Sequence, residues 1–253
     1  MAARHVYGIG PVRELVRARP DRIRKLLVEP GRVGRERAAD PVAQLAIDAR
    51  AAGVLVELAP RDRLDQLAGP DARHQGVLAE VGELEFVDPD DMVEAALAAG
   101  QRPLLLALDG VEDPRNLGAI LRSAYLLGAH GVIIPANRAA GVTAVVSKAS
   151  AGASELLAIA QVGNLARALD ALKERGVWNV AIHASPEARP LAQIDLTSPA
   201  CLVLGAEGSG VRPLVGKQCD FHAIIPMART GVGSFNVSVA AAIALYEVAR
   251  QRG

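Results

Sequence analysis

Six residues have types and positions suited to binding a polar ligand: Asn116, Arg122, Glu207, Ser234, Asn236 and Ser238. Ser234, Asn236 and Ser238 stand where a long Ala/Val/Ile segment begins. A helix starting there offers free N–H groups and the positive end of its dipole. Asn116 follows an Asp113-Pro114 turn and lies near the start of another helix, whereas Arg122, six residues on, falls inside it and on a different face. Glu207 sits in GAEGSG, among glycines that let backbone approach a ligand closely. Each residue also has a plainer role. The asparagines could cap helices, Arg122 could form a surface ion pair, Glu207 could face a helix dipole, and the glycines could make tight turns. GAEGSG is not the GxGxxG dinucleotide fingerprint, and no acidic partner follows as a dehydrogenase would need.

The elements that must position these residues read as alternating strands and helices. Apolar runs at Cys201–Leu204 and Ala223–Pro226 predict two buried strands, each opening into a loop and a helix, which is how an α/β protein builds a ligand cleft. Upstream, strands are expected at LLLAL (104–108), VII (132–134), LLAIAQV (156–162) and VWNVAIH (177–183). Helices are expected over 116–127, 144–154, 165–175 and 236–250. This alternation implies a mainly parallel sheet covered on both faces. The first 80 or so residues form a separate αβ pattern. A helix starts at Pro11, strands fall at 24–28 and 54–58, a helix-like stretch over 35–52 is interrupted or started at Asp40-Pro41, a short helix is closed by Gly69, and HQGVLAEV is a strand. The boundaries read 1–81, a connection over 82–102 and a second domain over 103–253.

Composition sets wide limits. The 253 residues are 51% apolar with a formal net charge of zero, enough for one ordinary domain and a small one. Charge is uneven: residues 1–37 hold ten Lys/Arg against four Asp/Glu. A basic end on a neutral protein suits a local anionic partner, or simply a solvated arginine-rich face. The two cysteines, Cys201 and Cys219, form neither a disulfide framework nor a metal motif, so no metal is expected and a reducing cytoplasm is the simplest location. The N-terminus lacks the apolar segment of a signal peptide, and the charge-free run Ser234–Tyr246 is too short for a bilayer, so no membrane association is expected.

Three stretches together resemble a known family. LDGVEDPRNLGAILRSA (108–124), LGAEGSG (204–210) with IPM (225–227), and SFNVSVA (234–240) are similar, in that order, to the three signature motifs of the SpoU (TrmH) RNA 2′-O-methyltransferases. YGIGPV and RHQGVLAEV resemble the L30e-like RNA-binding domain of the RlmB-like branch, which methylates bacterial large-subunit rRNA. The resemblance implies an L30e-like α/β RNA-binding domain followed by a SPOUT-type parallel-sheet methyltransferase domain tied in a trefoil knot, and a homodimer formed through that domain. It implies S-adenosylmethionine as donor and a ribose 2′-hydroxyl as acceptor, most simply of a guanosine in the peptidyl-transferase region of 23S rRNA. Carried over by motif, Leu204, Gly205, Ala206 and Gly210 would hold the donor together with Ile225, Pro226 and Met227. Phe235 and Asn236 would complete that set. Arg122 would bind a phosphate and stabilise the developing alkoxide, because arginine itself does not deprotonate. Glu207 would orient Arg122 or accept the proton, and Asn116, Ser234, Asn236 and Ser238 would hold ribose or donor.

One departure falls in the third motif. The family has SLN where this chain has Ser234-Phe235-Asn236, and Met227 and Asn236 are nine steps apart rather than eight. The extra residue falls around Arg229-Thr230-Gly231, in a loop expected to shape the adenine pocket. Two alternatives remain at this level: a tRNA ribose methyltransferase, and a non-catalytic RNA-binding protein of the same fold.

Overall fold

The computed structural model describes residues 4–33, 39–69, 72–206, 208–229 and 233–253. Glu207 and residues 230–232, which include the expected insertion, lie outside the described residues, as do residues 34–38 of the stretch expected to be helical. The chain forms two compact units, one from 1–84 with 142–156, the other from 85–141 with 157–253.

The first unit is a four-stranded sheet with helices. Strands β1 (Arg4–Tyr7), β2 (Ile23–Val28), β3 (Val56–Leu58) and β4 (Val77–Val81) lie in the order β1-β4-β2-β3. β4 is antiparallel to β1 and β2, and β2 is parallel to β3. Helices α1 (Ile9–Ala18), α2 (Pro41–Ala51) and α3 (Arg61–Ala68) complete it. Asp40-Pro41 is a helix start: the Asp40 carboxylate accepts from the Val42 N–H at 2.8 Å, and Pro41 occupies a position whose N–H would have had no partner. The core is aliphatic, with Val6, Leu15, Leu26, Leu45 and Val77 all 1% exposed or less.

This unit also takes in 142–156, which the sequence pattern places within the later β/α series. The helix expected over 144–154 is split there into α6 (Ala144–Ala149) and a 3-10 turn (Ala153–Glu155). The break is at Gly152 (φ +92°), where an added Cβ would stand 3.0 Å from the backbone of Pro11. Chain packing against chain at that distance leaves no room for a side chain. The segment is anchored at both ends. Glu155, 2% exposed, takes both guanidinium nitrogens of Arg4, at 2.8 and 2.5 Å. Lys148 Nζ donates to Gln75 Oε1 (3.1 Å) and to the Arg73 carbonyl (3.2 Å), and lies 5.8 Å from the centre of the Tyr7 ring. Gln75 Oε1 also accepts from the Ile9 N–H at 3.2 Å, so the YGIG and RHQG phrases meet around Lys148.

The second unit is a seven-stranded parallel sheet. Its strands are β5 (Leu104–Asp109), β6 (Gly131–Pro135), β7 (Ala158–Val162), β8 (Trp178–Ile182), β9 (Arg189–Pro190), β10 (Ala200–Gly205) and β11 (Phe221–Ile224), in the order β7-β6-β5-β10-β8-β11-β9. Every ladder is parallel. β5 and β10 are central and buried along almost their whole length, which explains why they read as unbroken apolar runs. Helices α4 (Pro89–Ala98), α5 (Pro114–Leu126), α7 (Leu165–Glu174), α8 (Pro213–Gly216) and α9 (Val237–Arg252) cover it. Asp113 caps α5 and Asn164 caps α7 through side-chain oxygens, at 2.8 and 3.1 Å from backbone N–H groups. The two-residue β9 and the one-turn α8 are too short to carry a periodicity in the sequence. No helix among the described residues is long and apolar enough to cross a membrane.

Candidate active site

In a parallel sheet all strands end on one edge, and ligands bind at that edge where neighbouring connections diverge. Here the chain leaves β8, β10 and β11 there, and their last residues surround a cavity of about 300 Å³. Its lining includes Leu204, Gly205, Ala206, Gly210, Ile225 and Met227, all expected from the sequence. Ser234 and Phe235 contribute from the turn before α9. Pro226 is exposed and not part of the lining, and at the next motif position Val237, not Asn236, faces the cavity.

The glycines at 205 and 210 have a specific function in this loop. Gly210 N–H donates to the Ala206 carbonyl at 2.9 Å, closing the loop on itself. A Cβ on Gly205 would come 2.0 Å from the Gly210 carbonyl carbon and 2.2 Å from Val211 N. The loop therefore closes only because position 205 has no side chain. Beyond it, Asp109 at the end of β5 is 1% exposed and accepts the Arg212 backbone N–H (2.8 Å) and Nε (2.7 Å), with a second guanidinium nitrogen at 2.5 Å. Both guanidinium nitrogens reach Oδ1 while the backbone N–H takes Oδ2, so this pair satisfies a buried charge and fixes the far end of the glycine loop to the central strand. Neither residue was singled out from sequence. The only hint is a lone acid ending an otherwise apolar strand.

His183 is a second residue that the sequence did not point to. It follows β8, lines the cavity, and has its Nε2 2.8 Å from Nδ1 of His222. Burial first, then the neighbouring His222, push its pKa below the usual histidine value, with Glu187 opposing. Both causes disfavour a proton on His183.

Asn116 and Asn236, 120 residues apart, are brought into direct contact: Asn236 Nδ2 donates to Asn116 Oδ1 at 3.1 Å. Asn236 Oδ1 accepts from the Ser238 N–H (2.9 Å) and Oγ (2.6 Å), so it also caps α9. The capping role expected of this residue is present, and the same side chain also reaches Asn116. Asn116 borders a neighbouring cleft with Gly110, Asp113, Ala206, Ser209 and Val237, adjoining the first cavity through Ala206 and Ser209. Arg122 is not brought there. It is exposed on α5, about 9 Å along the helix and roughly 120° around it from Asn116, and lines neither cleft. On the same helix Leu117, Ile120 and Leu121 are at most 1% exposed and belong to the core, whereas Leu126 is 69% exposed.

The cavity suits S-adenosylmethionine. Leu204, Ile225, Met227 and Phe235 line it with apolar surface of the kind that could hold an adenine, and a loop without side chains at 205 and 210 leaves backbone open to contact with polar groups. Among the described residues no cluster of His, Cys, Asp or Glu is arranged to hold a metal ion.

Comparison with known proteins agrees with this geometry. The family model described as SpoU rRNA Methylase matches residues 103–246, and that for RNA 2′-O ribose methyltransferase substrate binding matches residues 5–87. The chain is 42% identical to the 23S rRNA (guanosine-2′-O-)-methyltransferase RlmB of Pseudomonas aeruginosa, over 98% of this chain and 96% of that one. It is 44% identical to the RlmB of Coxiella burnetii, over 98% and 95%. The crystal structure of the SpoU methyltransferase AviRb from Streptomyces viridochromogenes in complex with AdoMet superposes with a TM-score of 0.79 at 25% identity, covering 99% of this chain and 90% of that one. Fold and cleft define an S-adenosylmethionine-dependent RNA 2′-O-methyltransferase. The chain belongs to the SpoU rRNA methylase family.

Proposed function

We propose that the protein methylates the ribose 2′-hydroxyl of a guanosine in 23S rRNA, in the peptidyl-transferase region. The observation carrying this reading is similarity over 98% of the chain, substrate-binding part included, to two RlmB guanosine methyltransferases. The first unit would supply RNA affinity, and the exposed Arg13, Arg17 and Arg24 support that role. When bound, S-adenosylmethionine supplies a methyl group on a cationic sulfonium, already a good leaving group. The protein then has mainly to position the hydroxyl in line with that methyl. The Asn116–Asn236–Ser238 network would hold the ribose. Glu207 would take or direct the hydroxyl proton, a role resting on its motif alone.

The working unit is proposed to be a homodimer with composite sites. α5 and α9 leave an apolar groove between them, lined by Ala119, Val239, Ala242, Ile243 and Tyr246, with Val239 44% and Tyr246 61% exposed. Exposed apolar surface on two neighbouring helices suits an isologous interface. Arg122, away from its own cleft, would then serve the partner's donor, binding phosphate and stabilising the alkoxide. The knot implied by the family is proposed for the same second unit, and the out-of-order strands β10 and β11 are compatible with it. The reading is tested by mapping 2′-O-methyl groups in rRNA and tRNA from a strain lacking the gene. Loss at one 23S guanosine, restored by the wild-type gene, is expected; loss at a tRNA position instead overturns the assignment.

A further inference from the structure

A second and larger cleft, of about 880 Å³, opens on the same edge of the sheet at the ends of β6 and β7. Its walls are the loop after β6 with Arg138, the first turns of α7 with Arg167 and Asp170, and the stretch from Arg212 through α8. In the sheet order, β5 alone lies between β6 and β10, and Arg212 in the wall of this cleft is two residues on from Gly210 in the lining of the donor cavity, so the two are neighbours.

Three features set it apart from an ordinary surface hollow. First, Arg138 and Arg167 are exposed, and among the described residues neither guanidinium has a hydrogen bond or an ion pair. Arg212 differs, since its charge is already matched by buried Asp109. Two uncommitted cations therefore face a cavity containing one acid, Asp170. Second, Arg138 has φ +56°, one of three non-glycine residues of the described chain with positive φ. Arginine gains nothing locally from that conformation, and such strain concentrates at functional sites. Third, the loop carrying Arg138 is tied to the acceptor cleft. Ala140 N–H donates to the Val111 carbonyl at 2.9 Å, and Val111 borders the cleft that holds Asn116. A ligand spanning both clefts would pass along one sheet edge, over the end of β5.

We propose that this cleft binds the phosphodiester backbone of the RNA flanking the acceptor nucleotide, with Arg138 and Arg167 each contacting a phosphate. The proposal rests on the RNA-methyltransferase reading and adds where the strand runs beyond the reacting ribose. Arginine forks match phosphate oxygens, and phosphate contacts fix register without reading bases.

The test uses the full chain, its donor, and whichever RNA the wild-type protein methylates. A mistaken acceptor assignment would thus appear in the methylation map and leave this comparison intact. RNA affinity is measured by fluorescence anisotropy over a salt series for wild type, Arg138→Gly, Arg167→Ala and the double variant. Glycine is chosen at 138 because it accepts positive φ, so the fold is not strained by the change. Each single variant is expected to weaken RNA binding roughly tenfold. Each should also flatten the log–log salt dependence by about 0.7 for single-stranded RNA, and the double variant by about twice that. Donor affinity by calorimetry and the melting temperature should stay at wild-type values. Asp170→Lys should tighten RNA binding and steepen the salt dependence. An unchanged salt slope in the double variant overturns the proposal, as does an unaltered affinity in Asp170→Lys. It also fails if donor affinity falls in parallel, because the arginines would then act through the fold. Loss of inorganic phosphate binding with RNA binding intact would mark a small-anion site and refute it equally.

Discussion

Gly205→Ala tests the donor loop directly. A Cβ at 205 would lie 2.0 Å from the Gly210 carbonyl carbon, and ordinary contact begins near 3.4 Å, so the Gly210–Val211 backbone must retreat by about 1.4 Å. No side chain can swing away to relieve the clash, because the obstructing atoms are backbone. Retreat would also be resisted from beyond, since the next residue, Arg212, is locked to buried Asp109 by its N–H and guanidinium. Over-filling a packed site typically costs about 1–3 kcal/mol. For a chain of this length that corresponds to roughly 3–10 °C in melting temperature. The cavity wall at Leu204–Gly210 would move by nearly half a van der Waals contact, and donor affinity should fall at least tenfold, or about 1.4 kcal/mol. Titration calorimetry with S-adenosylmethionine and thermal unfolding are the two readouts. RNA binding by the first unit should be spared. If the variant binds donor with wild-type affinity and melts at the wild-type temperature, the closed 205–210 loop is not the element that shapes the pocket.

Further outcomes follow from other parts of the molecule. Arg122→Ala should retain donor binding and weaken RNA binding by no more than about tenfold, the loss of one phosphate contact, while kcat falls by two or more orders of magnitude, the usual cost of losing charge stabilisation in a transition state. Mixing Arg122→Ala with Asn236→Ala under demonstrated subunit exchange should restore part of the activity, and persistent inactivity would place each site within one chain. Arg4→Ala should destabilise the first unit by about 3 kcal/mol in urea unfolding, because Glu155 would be left as a buried, unpaired carboxylate; an unchanged midpoint would refute that anchoring role. Burial chiefly lowers the pKa of His5, His130 and His183. Below about pH 6.5 the unfolded chain then binds more protons than the native one, so stability should fall as pH drops from 7.5 to 5.5. Donor affinity should fall only below about pH 6.5, where native His183 gains a charge at the wall of a cavity that takes a cationic donor, and His183→Asn should flatten that dependence. A pH-independent affinity in the wild type would count against His183 as a cavity residue.

Much of the site was legible because it is carried by local chemistry. Asp113-Pro114 and Asn236 announce helix starts through the partners their side chains must find, and the glycines announce a loop that has no room for a side chain at 205 and takes a positive φ at 210. The buried parallel strands announce themselves as apolar runs, because both faces of the sheet are covered. Tertiary structure alone decided the rest. The Asn116–Asn236 contact, the Asp109–Arg212 pair and the His183–His222 pair join residues 39 to 120 positions apart, and periodicity carries no information at that range. The same holds for 142–156, whose local pattern is that of a helix in the β/α series, yet which belongs to the first unit through Arg4–Glu155 and Lys148–Gln75. Arg122 makes the division clear. Its motif marks it as functional, but its place on α5 lies outside its own chain's cleft. A helix fixes the angle between Asn116 and Arg122, while only the packing of α5 decides which of them faces the ligand.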